Sequence, residues 1–358
     1  MLKSFRKYIA LAGALLMCFS VSGQHTQSNY SILGIGDLNN GALTPNEVMG
    51  GVGLSYNSRY FVNTLNPALF GMNDNAVFHI GGSLDFRNYS RNTTIGNQKY
   101  SSTSGGFKDF ALSLPVVFKK WNLGLGFGPL SGVNYSYNIS EPGPGNTIAN
   151  TQLSGSGGLD EFYVINGFKL GNFYLGGKVG LVLGVINKES RSFLEGGTNT
   201  AFGSTVITEK QSFSDFKFQL GAAYKLKLAE DKFINFGATL DQESKINGDL
   251  LTLLDQQSFG GSIFSRDTLL NISSDTEGIG PVRITLPQKI GFGISYEKYQ
   301  RFNLGLDFHT QDWAAYRDIQ GNAESNLGRS FRIAVGGEII PDGQNSGIFG
   351  LISLKFGV

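Results

Sequence analysis

The residues that could carry acid–base or metal chemistry are few. The 358-residue chain has three histidines, His25, His79 and His309. His309 lies near Asp307 and Asp312 in the sequence, which fits an acid–base dyad or a pair of metal ligands, or else a polar contact on an inward-facing surface. No Gly-x-Ser-x-Gly nucleophile elbow and no paired histidines at metal spacing occur, so we expect neither an enzyme nor a metal or other cofactor.

One glycine-rich stretch superficially resembles a nucleotide-binding loop. It reads Gly124-Leu125-Gly126-Phe127-Gly128. The same residues alternate apolar and small within a longer strand pattern with no following helix, so the dinucleotide signature fails on context. The formal net charge is only +1, and nucleic-acid binding requires a clustered basic excess, so we expect no nucleic-acid partner.

The first 23 residues predict export. Lys3, Arg6 and Lys7 form a basic start, an apolar stretch follows at 9–21, and residues 21–23 offer the small side chains that a signal peptidase recognises. We therefore predict a signal peptide over residues 1–23.

The only cysteine, Cys18, lies inside this leader. A lipoprotein cysteine is the alternative interpretation, but Met17 is too large for the residue that such a site places before the cysteine. Beyond residue 23, no uninterrupted apolar run approaches the roughly 18 residues of a transmembrane helix. If the exported chain crosses a membrane, it must therefore cross it as a barrel.

Alternating residues dominate the rest of the chain. Between residues 121 and 139 the odd positions are mostly apolar and the even positions are mostly small or polar. A period of two predicts β-strands with one apolar face. The same pattern recurs at 78–87, 109–119, 173–183, 216–225, 234–241, 289–297, 302–309 and 348–356.

Strand length separates a membrane barrel from a soluble β-sandwich. Many of these segments reach the roughly 9 to 11 residues that a tilted strand needs to cross a bilayer, whereas strands in globular sheets average about 5 to 6. Short turns on one side and long polar stretches at 140–160, 187–212 and 242–282 on the other fit a barrel too. We predict an all-β fold, an antiparallel transmembrane β-barrel of about 12 to 14 strands, in the outer membrane.

Residues 24–75 lack this alternation. Thr44-Pro45-Asn46-Glu47 predicts a short helix with Thr44 as its N-cap, Pro45 at its first position and Glu47 as the capping-box acid. The predicted domains are the signal peptide at 1–23, an N-terminal plug with short helices at 24–75, and a barrel at 76–358.

Several short motifs resemble the FadL family of outer-membrane transporters for long-chain fatty acids and other hydrophobic compounds. They are Met49-Gly50-Gly51-Val52-Gly53, Asn66-Pro67-Ala68, Leu286-Pro287, Asp307 followed by Trp313 and Tyr316, and Gly336-Gly337-Glu338-Ile339-Ile340-Pro341. The resemblance implies an N-terminal hatch, carrying the Asn-Pro-Ala motif, inside a 14-stranded barrel. One departure is that few residues follow the Gly-Gly-Glu strand and that Val358 stands where barrels commonly place an aromatic residue. The barrel is then either small or without its closing strands.

Two sites follow from local backbone chemistry. Asn66-Pro67-Ala68 either anchors the plug against the barrel wall or forms an ordinary turn, because Pro67 restricts both its own φ and the conformation of Asn66. Pro129, after Gly128, cannot donate to a neighbouring strand, so Gly128-Pro129 predicts a bulge or kink. The FadL resemblance implies that this kink is a lateral opening for hydrophobic molecules, and a position at the barrel rim is the alternative.

Five polar residues on the strand faces opposite the apolar residues are predicted to face the lumen: His79, Asp85, Arg87, Asp307 and His309.

Two functions remain to be distinguished. The resemblance favours passive transport of hydrophobic small molecules such as long-chain fatty acids, with a hydrophobic ligand and outer-membrane lipid as partners. The alternative is a non-transporting barrel that serves as a scaffold or secretion-system component for protein partners. A transporter needs an apolar pocket beneath the plug, whereas a scaffold needs only a filled lumen.

Overall fold

A computed structural model describes nine stretches of the chain. They are residues 28–58, 61–93, 96–196, 203–258, 262–272, 282–299, 301–324, 327–340 and 353–358. The predicted signal peptide lies outside these described residues.

The described residues form one large antiparallel β-structure, so the all-β fold class is confirmed. Its strands are β1 (Asp37–Leu38), β2 (Val77–Thr93), β3 (Gly96–Val117), β4 (Trp121–Pro142), β5 (Ile148–Leu170), β6 (Phe173–Glu195), β7 (Ser204–Lys227), β8 (Lys232–Asp241), β9 (Ser244–Gln257), β10 (Ile263–Ile272), β11 (Arg283–Leu286), β12 (Lys289–Lys298), β13 (Phe302–Asp312), β14 (Arg329–Ile339) and β15 (Leu354–Gly357). One α-helix, α1 (Thr44–Glu47), and 3₁₀ turns at Asn29–Ile32, Pro67–Met72 and Trp313–Ala315 complete the described elements.

The strands form a wall in which each strand pairs antiparallel with the next. The order is β2-β3-β4-β5-β6-β7-β8-β12-β13-β14-β15. β9 continues β8 past a short break and pairs with the first half of β7, with β10 and with β11. A second break lies opposite, between β11 and β12, because Asp241 pairs with Lys289 and Ser244 pairs with Leu286.

The two faces of the wall differ as the alternation predicts. In β13, Leu304, Leu306 and Phe308 are exposed on the outer face, while Asn303 and Asp307 are buried on the inner face. Strand pleating places successive side chains on opposite faces, so one period-two sequence makes an apolar exterior and a small or polar interior. No helix among the described residues is long and apolar enough to cross a membrane.

Residues 28–73, here called the hatch, precede β2 and lie against the inner face of the wall. The helix α1 begins one residue earlier than the capping pattern predicts. Leu43 is the N-cap, and its carbonyl accepts from the backbone N–H groups of Asn46 and Glu47. Thr44 is already helical, so its hydroxyl makes no capping bond, and the predicted Thr44 cap is wrong. Glu47 instead forms an ion pair with Lys108 of β3.

Candidate functional site

The hatch packs against bare backbone on the wall. Inward-facing glycines lie directly under hatch atoms, so a Cβ added at any of them would collide with the hatch backbone or a hatch side chain. These glycines are Gly124, Gly167, Gly176, Gly221, Gly237, Gly336 and Gly357. The small face that the sequence predicts is therefore a docking surface for the hatch rather than an open channel.

The Asn-Pro-Ala motif lies in this interface. The Asn66 side-chain amide donates to the carbonyl of Leu54 in the hatch at 2.7 Å and to the carbonyl of Ala222 in β7 at 3.2 Å. Its oxygen accepts from the N–H of Ala68 at 3.0 Å and caps the following 3₁₀ turn. Pro67 lies over Gly176 and Gly221. Asn66 thus forms both the local turn and a contact to the wall, while a role in uptake stays a prediction.

Asp307 and Glu338 hold the hatch from the opposite side of the wall. One carboxylate oxygen of Asp307 accepts from the N–H groups of Gly53 and Leu54 at 2.7 and 2.8 Å. The Tyr56 hydroxyl donates to Glu338 at 2.7 Å. Burial, followed by the neighbouring Glu338 carboxylate, raises the pKa of the Tyr56 phenol, so this hydroxyl stays protonated and remains a donor.

The other predicted lumen residues lie apart from one another. His79 contacts Asp109 through Nε2 at 2.7 Å, and Asp85 lies farther along β2. The side chain of Arg87 lies outside the described part of the structure. His309 is buried in the wall, and within the described residues neither of its ring nitrogens has a hydrogen-bond partner. Asp312 caps the 3₁₀ turn that begins at Trp313, so Asp312 and His309 form no dyad.

A charged layer crosses the lumen at the level of the strand breaks. It borders a cavity of about 320 Å³ that includes hatch residues 38–41 in its lining. Two buried ion pairs lie there, Glu161 with Lys178 at 3.1 Å and Lys217 with Asp241 at 2.8 Å. Lys289, Arg332 and His309 complete this side of the cavity. Burying charges is unfavourable unless they are paired, as the four charges of these two ion pairs are. The lining is mixed, because the apolar side chains of Leu130, Leu286 and Trp313 border the same cavity.

Beyond this layer, the outer half of the lumen holds an apolar core. It joins hatch residue Ile35 to the wall and to the segment after β13. Its buried members are Ile35, Leu130, Val133, Tyr135, Leu159, Val182, Ile186, Phe213, Ile246, Leu250, Val282, Ile284, Leu286, Tyr316 and Ile319. The lumen therefore contains a hatch, a charged layer and a packed core in succession.

Gly128-Pro129 marks a break in the wall. The β3–β4 ladder ends at the pair Phe110 and Phe127, and the β4–β5 ladder shifts register between Pro129 and Ser131. Beyond that point the hatch strand β1 pairs with β4, with Leu38 opposite Ser131. The break is thus covered by the hatch, and its use as a lateral exit stays a prediction.

Sequence reasoning missed the ion pairs of the charged layer. Glu161 and Lys178 lie on adjacent strands of one hairpin, β5 and β6, where Glu161 is opposite Val182. The signal was present, because inward-facing charges of opposite sign on neighbouring strands are expected to pair. It required the hairpin register, which the alternation alone does not determine.

A family model matches residues 1–357, and that family is BamG. The chain belongs to the BamG family. No curated protein matches this BamG-family chain.

Among solved structures, the chain is similar to the P. putida toluene transporter TodX, with 14% identity over 87% of this chain and 81% of that chain, at a TM-score of 0.52. A Pseudomonas aeruginosa FadL homologue is 13% identical over 89% of this chain and 78% of that chain, at a TM-score of 0.45. At this identity the TodX likeness shows a shared fold, which confirms the fold that the FadL resemblance implies.

Proposed function

We propose that this BamG-family chain is a non-transporting outer-membrane barrel that serves as a scaffold for protein partners. The family name supports a Bam-associated barrel. In this role the chain catalyses no reaction. A scaffold is the second of the two functions that the sequence leaves open.

The observation that carries the proposal is the filled lumen. The hatch lies on wall glycines, among them Gly176, Gly237 and Gly336, that leave no room for even one additional carbon. The cavity beside it is bordered by the paired charges of Glu161 and Lys178 as well as by apolar side chains, and an apolar core fills the lumen farther along. A hydrophobic ligand would therefore meet buried ion pairs rather than a wholly apolar pocket beneath the hatch.

Location in the outer membrane is supported by the fold and by the outer face. Phe216, Phe218 and Leu220 on β7 and Phe292 on β12 are large apolar side chains exposed on the exterior. Exposed apolar bands of this kind are unfavourable in water and favourable in lipid.

Transport of hydrophobic molecules is the second candidate, and one observation favours it. The wall ladder between β3 and β4 ends at Phe127, just before Pro129, and beyond it hatch residues 28–39 cover β4, through β1 and through backbone bonds from Ser28 and Asn39. Movement of this hatch segment away from β4 would open a lateral path. The toluene transporter TodX shares the fold.

The test compares uptake with partner binding. The full chain in liposomes should take up a hydrophobic dye no faster than protein-free liposomes, with TodX as the positive control. The same chain, isolated from native outer membranes after mild cross-linking, should retain outer-membrane protein partners in fixed proportion. Dye uptake as fast as that of TodX, or recovery of the chain alone, would refute the scaffold function.

A further inference from the structure

The wall has a seam, defined here as the gap between β2 on one side and β14 with β15 on the other. Within the described residues, β2 pairs only with β3, and β15 pairs only with β14. The described part of β15 pairs with Gly336–Ile339 of β14 and Val358 pairs with Val335, so no described strand pairs with residues 329–334 on that side. Each free edge presents backbone N–H and C=O groups that lipid cannot satisfy, at a cost of several kcal/mol per group.

Side chains beside the seam are unusually exposed. On the outer face of β2, Ile80 is 64% exposed and Leu84 is 74% exposed, and Ile333 on β14 is 67% exposed. Ile294 on β12 and Leu306 on β13, which lie in ladders on both sides, are 42% and 45% exposed. The difference is what a missing neighbouring strand produces, because cross-strand neighbours cover part of each other's surface.

Strand direction determines what can fill the seam. The wall path contains eleven described strands, all antiparallel to their neighbours, so β2 and β15 at its two ends run in the same direction. These edges cannot pair antiparallel with each other. Two copies in the same membrane orientation, joined seam to seam, would also pair in parallel. A single strand that runs in the opposite direction pairs antiparallel with both edges. Three strands, or any other odd number of mutually antiparallel strands, would bridge the two edges in the same way.

The hatch closes the lumen behind the seam. Glu47 forms its ion pair with Lys108 on the β3 side. Three residues later, the Gly50 carbonyl accepts from Arg332 of β14 at 3.0 Å. Three residues span at most about 11 Å, so a short hatch segment connects both sides. An occupant of the seam therefore meets two free strand edges and, on its lumen side, this hatch segment.

We propose that the seam takes up a β-strand of a second outer-membrane protein, running opposite to β2 and β15 with apolar residues on its lipid face. This rests on the proposed scaffold function and names where and how the partner binds. Main-chain hydrogen bonds to the free edges supply the affinity, as in other strand additions. One strand sets the two edges about 10 Å apart and three strands set them about 19 Å apart.

The test places a photo-cross-linking amino acid at Phe78, Ile80, Leu84 or Ile333 in the full chain in native outer membranes. Ile294, equally apolar and outward-facing on β12, which pairs with β8 on one side and β13 on the other, is the matched control. We expect adducts with a second outer-membrane protein. Because the added strand runs antiparallel to β2, the cross-linked residue of the partner should have a lower number when the probe lies at a higher position in β2. Yield at Ile294 should be lower by roughly tenfold, since cross-strand neighbours lie within about 5 Å.

Other patterns of adducts overturn the proposal. Adducts within this chain mean that the seam closes on itself, adducts to a second copy mean a homodimer, and lipid adducts alone mean an empty seam. If a protein is captured at Ile294 but not at the seam, the seam proposal fails and the scaffold function stands. If no protein is captured at any position, both fail.

A pair of lysine substitutions gives an independent readout. Ile80→Lys places a charge at the free edge, where lysine prevents strand addition, and should reduce partner recovery by roughly tenfold. Ile294→Lys places the same charge on a strand that is paired on both sides and should leave recovery unchanged. Heat-modifiable migration of both variants would verify that each barrel has folded. Equal recovery with both variants would contradict the proposal.

Discussion

The Asp307 carboxylate of β13 accepts a hydrogen bond of 2.8 Å from the backbone N–H of Leu54 in the hatch. The same oxygen accepts from Gly53 at 2.7 Å, and the Asp307 side chain is fully buried. An ionised acceptor for two backbone donors is among the stronger contacts that the wall can make to an irregular segment. The hatch is therefore bonded to the wall at the point where its own backbone has no regular partner.

Replacing Asp307 should loosen the hatch. Asp307→Asn keeps the size of the side chain but removes the charge from hydrogen bonds worth about 1.5–3 kcal/mol each. We expect a lower thermal midpoint and faster proteolysis within residues 28–58. Asp267→Asn, exposed on β10, is the matched control. Proteolysis of the hatch at the wild-type rate would show that Asp307 does not hold it.

Adjacent glycines provide a sharper comparison. Gly176 faces inward, where a Cβ would collide with the Pro67 carbonyl, whereas a Cβ at Gly177 would lie 3.9 Å from its nearest neighbour, the Leu220 side chain. Gly176→Ala should destabilise the barrel by about 1–3 kcal/mol through overpacking, and Gly177→Ala should change it little. Urea unfolding in detergent measures both. Equal midpoints would mean that the hatch readily moves away from the wall.

The alternation was sufficient to predict the wall, but not what fills it. Most of the apolar faces in the sequence lie on the exterior, as strand pleating predicts. In β4, Val133 and Tyr135 lie in the inner core instead, because the register shift between Pro129 and Ser131 moves the odd positions to the other face. The glycine face is not open space, since a Cβ at Gly176 would collide with the hatch. A two-residue period contains no information about a partner that is distant in sequence, so contacts such as Asp307 to Leu54 could not be derived from it.

The hatch itself was partly predictable. Pro45 and the polar residues around it indicated a short helix, which lies at Thr44–Glu47. The predicted N-cap was wrong, because the Leu43 carbonyl rather than the Thr44 side chain accepts the first hydrogen bonds of the helix. The Asn66 turn followed from proline chemistry. Its bond to Ala222 depends on tertiary packing and had no sequence signal beyond the family resemblance.

Asn66 should anchor the hatch without controlling uptake. Asn66→Ala leaves the carbonyl groups of Leu54 and Ala222 without this donor, at about 1–3 kcal/mol for buried groups. We expect increased hatch proteolysis, normal barrel yield and no gain in hydrophobic dye uptake. Asn138→Ala, on the outer part of β4, is the control. A rise in dye uptake in the Asn66 variant alone would favour transport.

The β9–β10 hairpin should become labile in acid. Arg266 bonds the Asp255 carboxylate through two nitrogens at 2.6 and 2.8 Å. Hydrogen bonding from Arg266 lowers the pKa of Asp255. A carboxyl whose pKa is lowered on folding stabilises the fold above its unfolded pKa of about 3.9, and this stabilisation is lost as pH falls through the lower folded value. Proteolysis at residues 255–266 should be constant from about pH 7 to pH 5 and should rise below about pH 4. An Arg266→Gln variant should lose this pH dependence.

A reversible lock on β1 distinguishes the two functions. Leu38 and Ser131 are register partners, and antiparallel partners have Cα atoms about 4.5–5.5 Å apart, within the range that a disulfide spans. Leu38→Cys with Ser131→Cys should form a disulfide that holds the hatch strand over the break at Pro129. Under the scaffold function, dye uptake stays at background and partner recovery is unchanged, with or without reductant.

The control disulfide, Glu297→Cys with Asn303→Cys, joins two wall strands that are already paired and should behave in the same way. Uptake that appears only when the Leu38–Ser131 bond is reduced would instead establish a lateral path beneath β1.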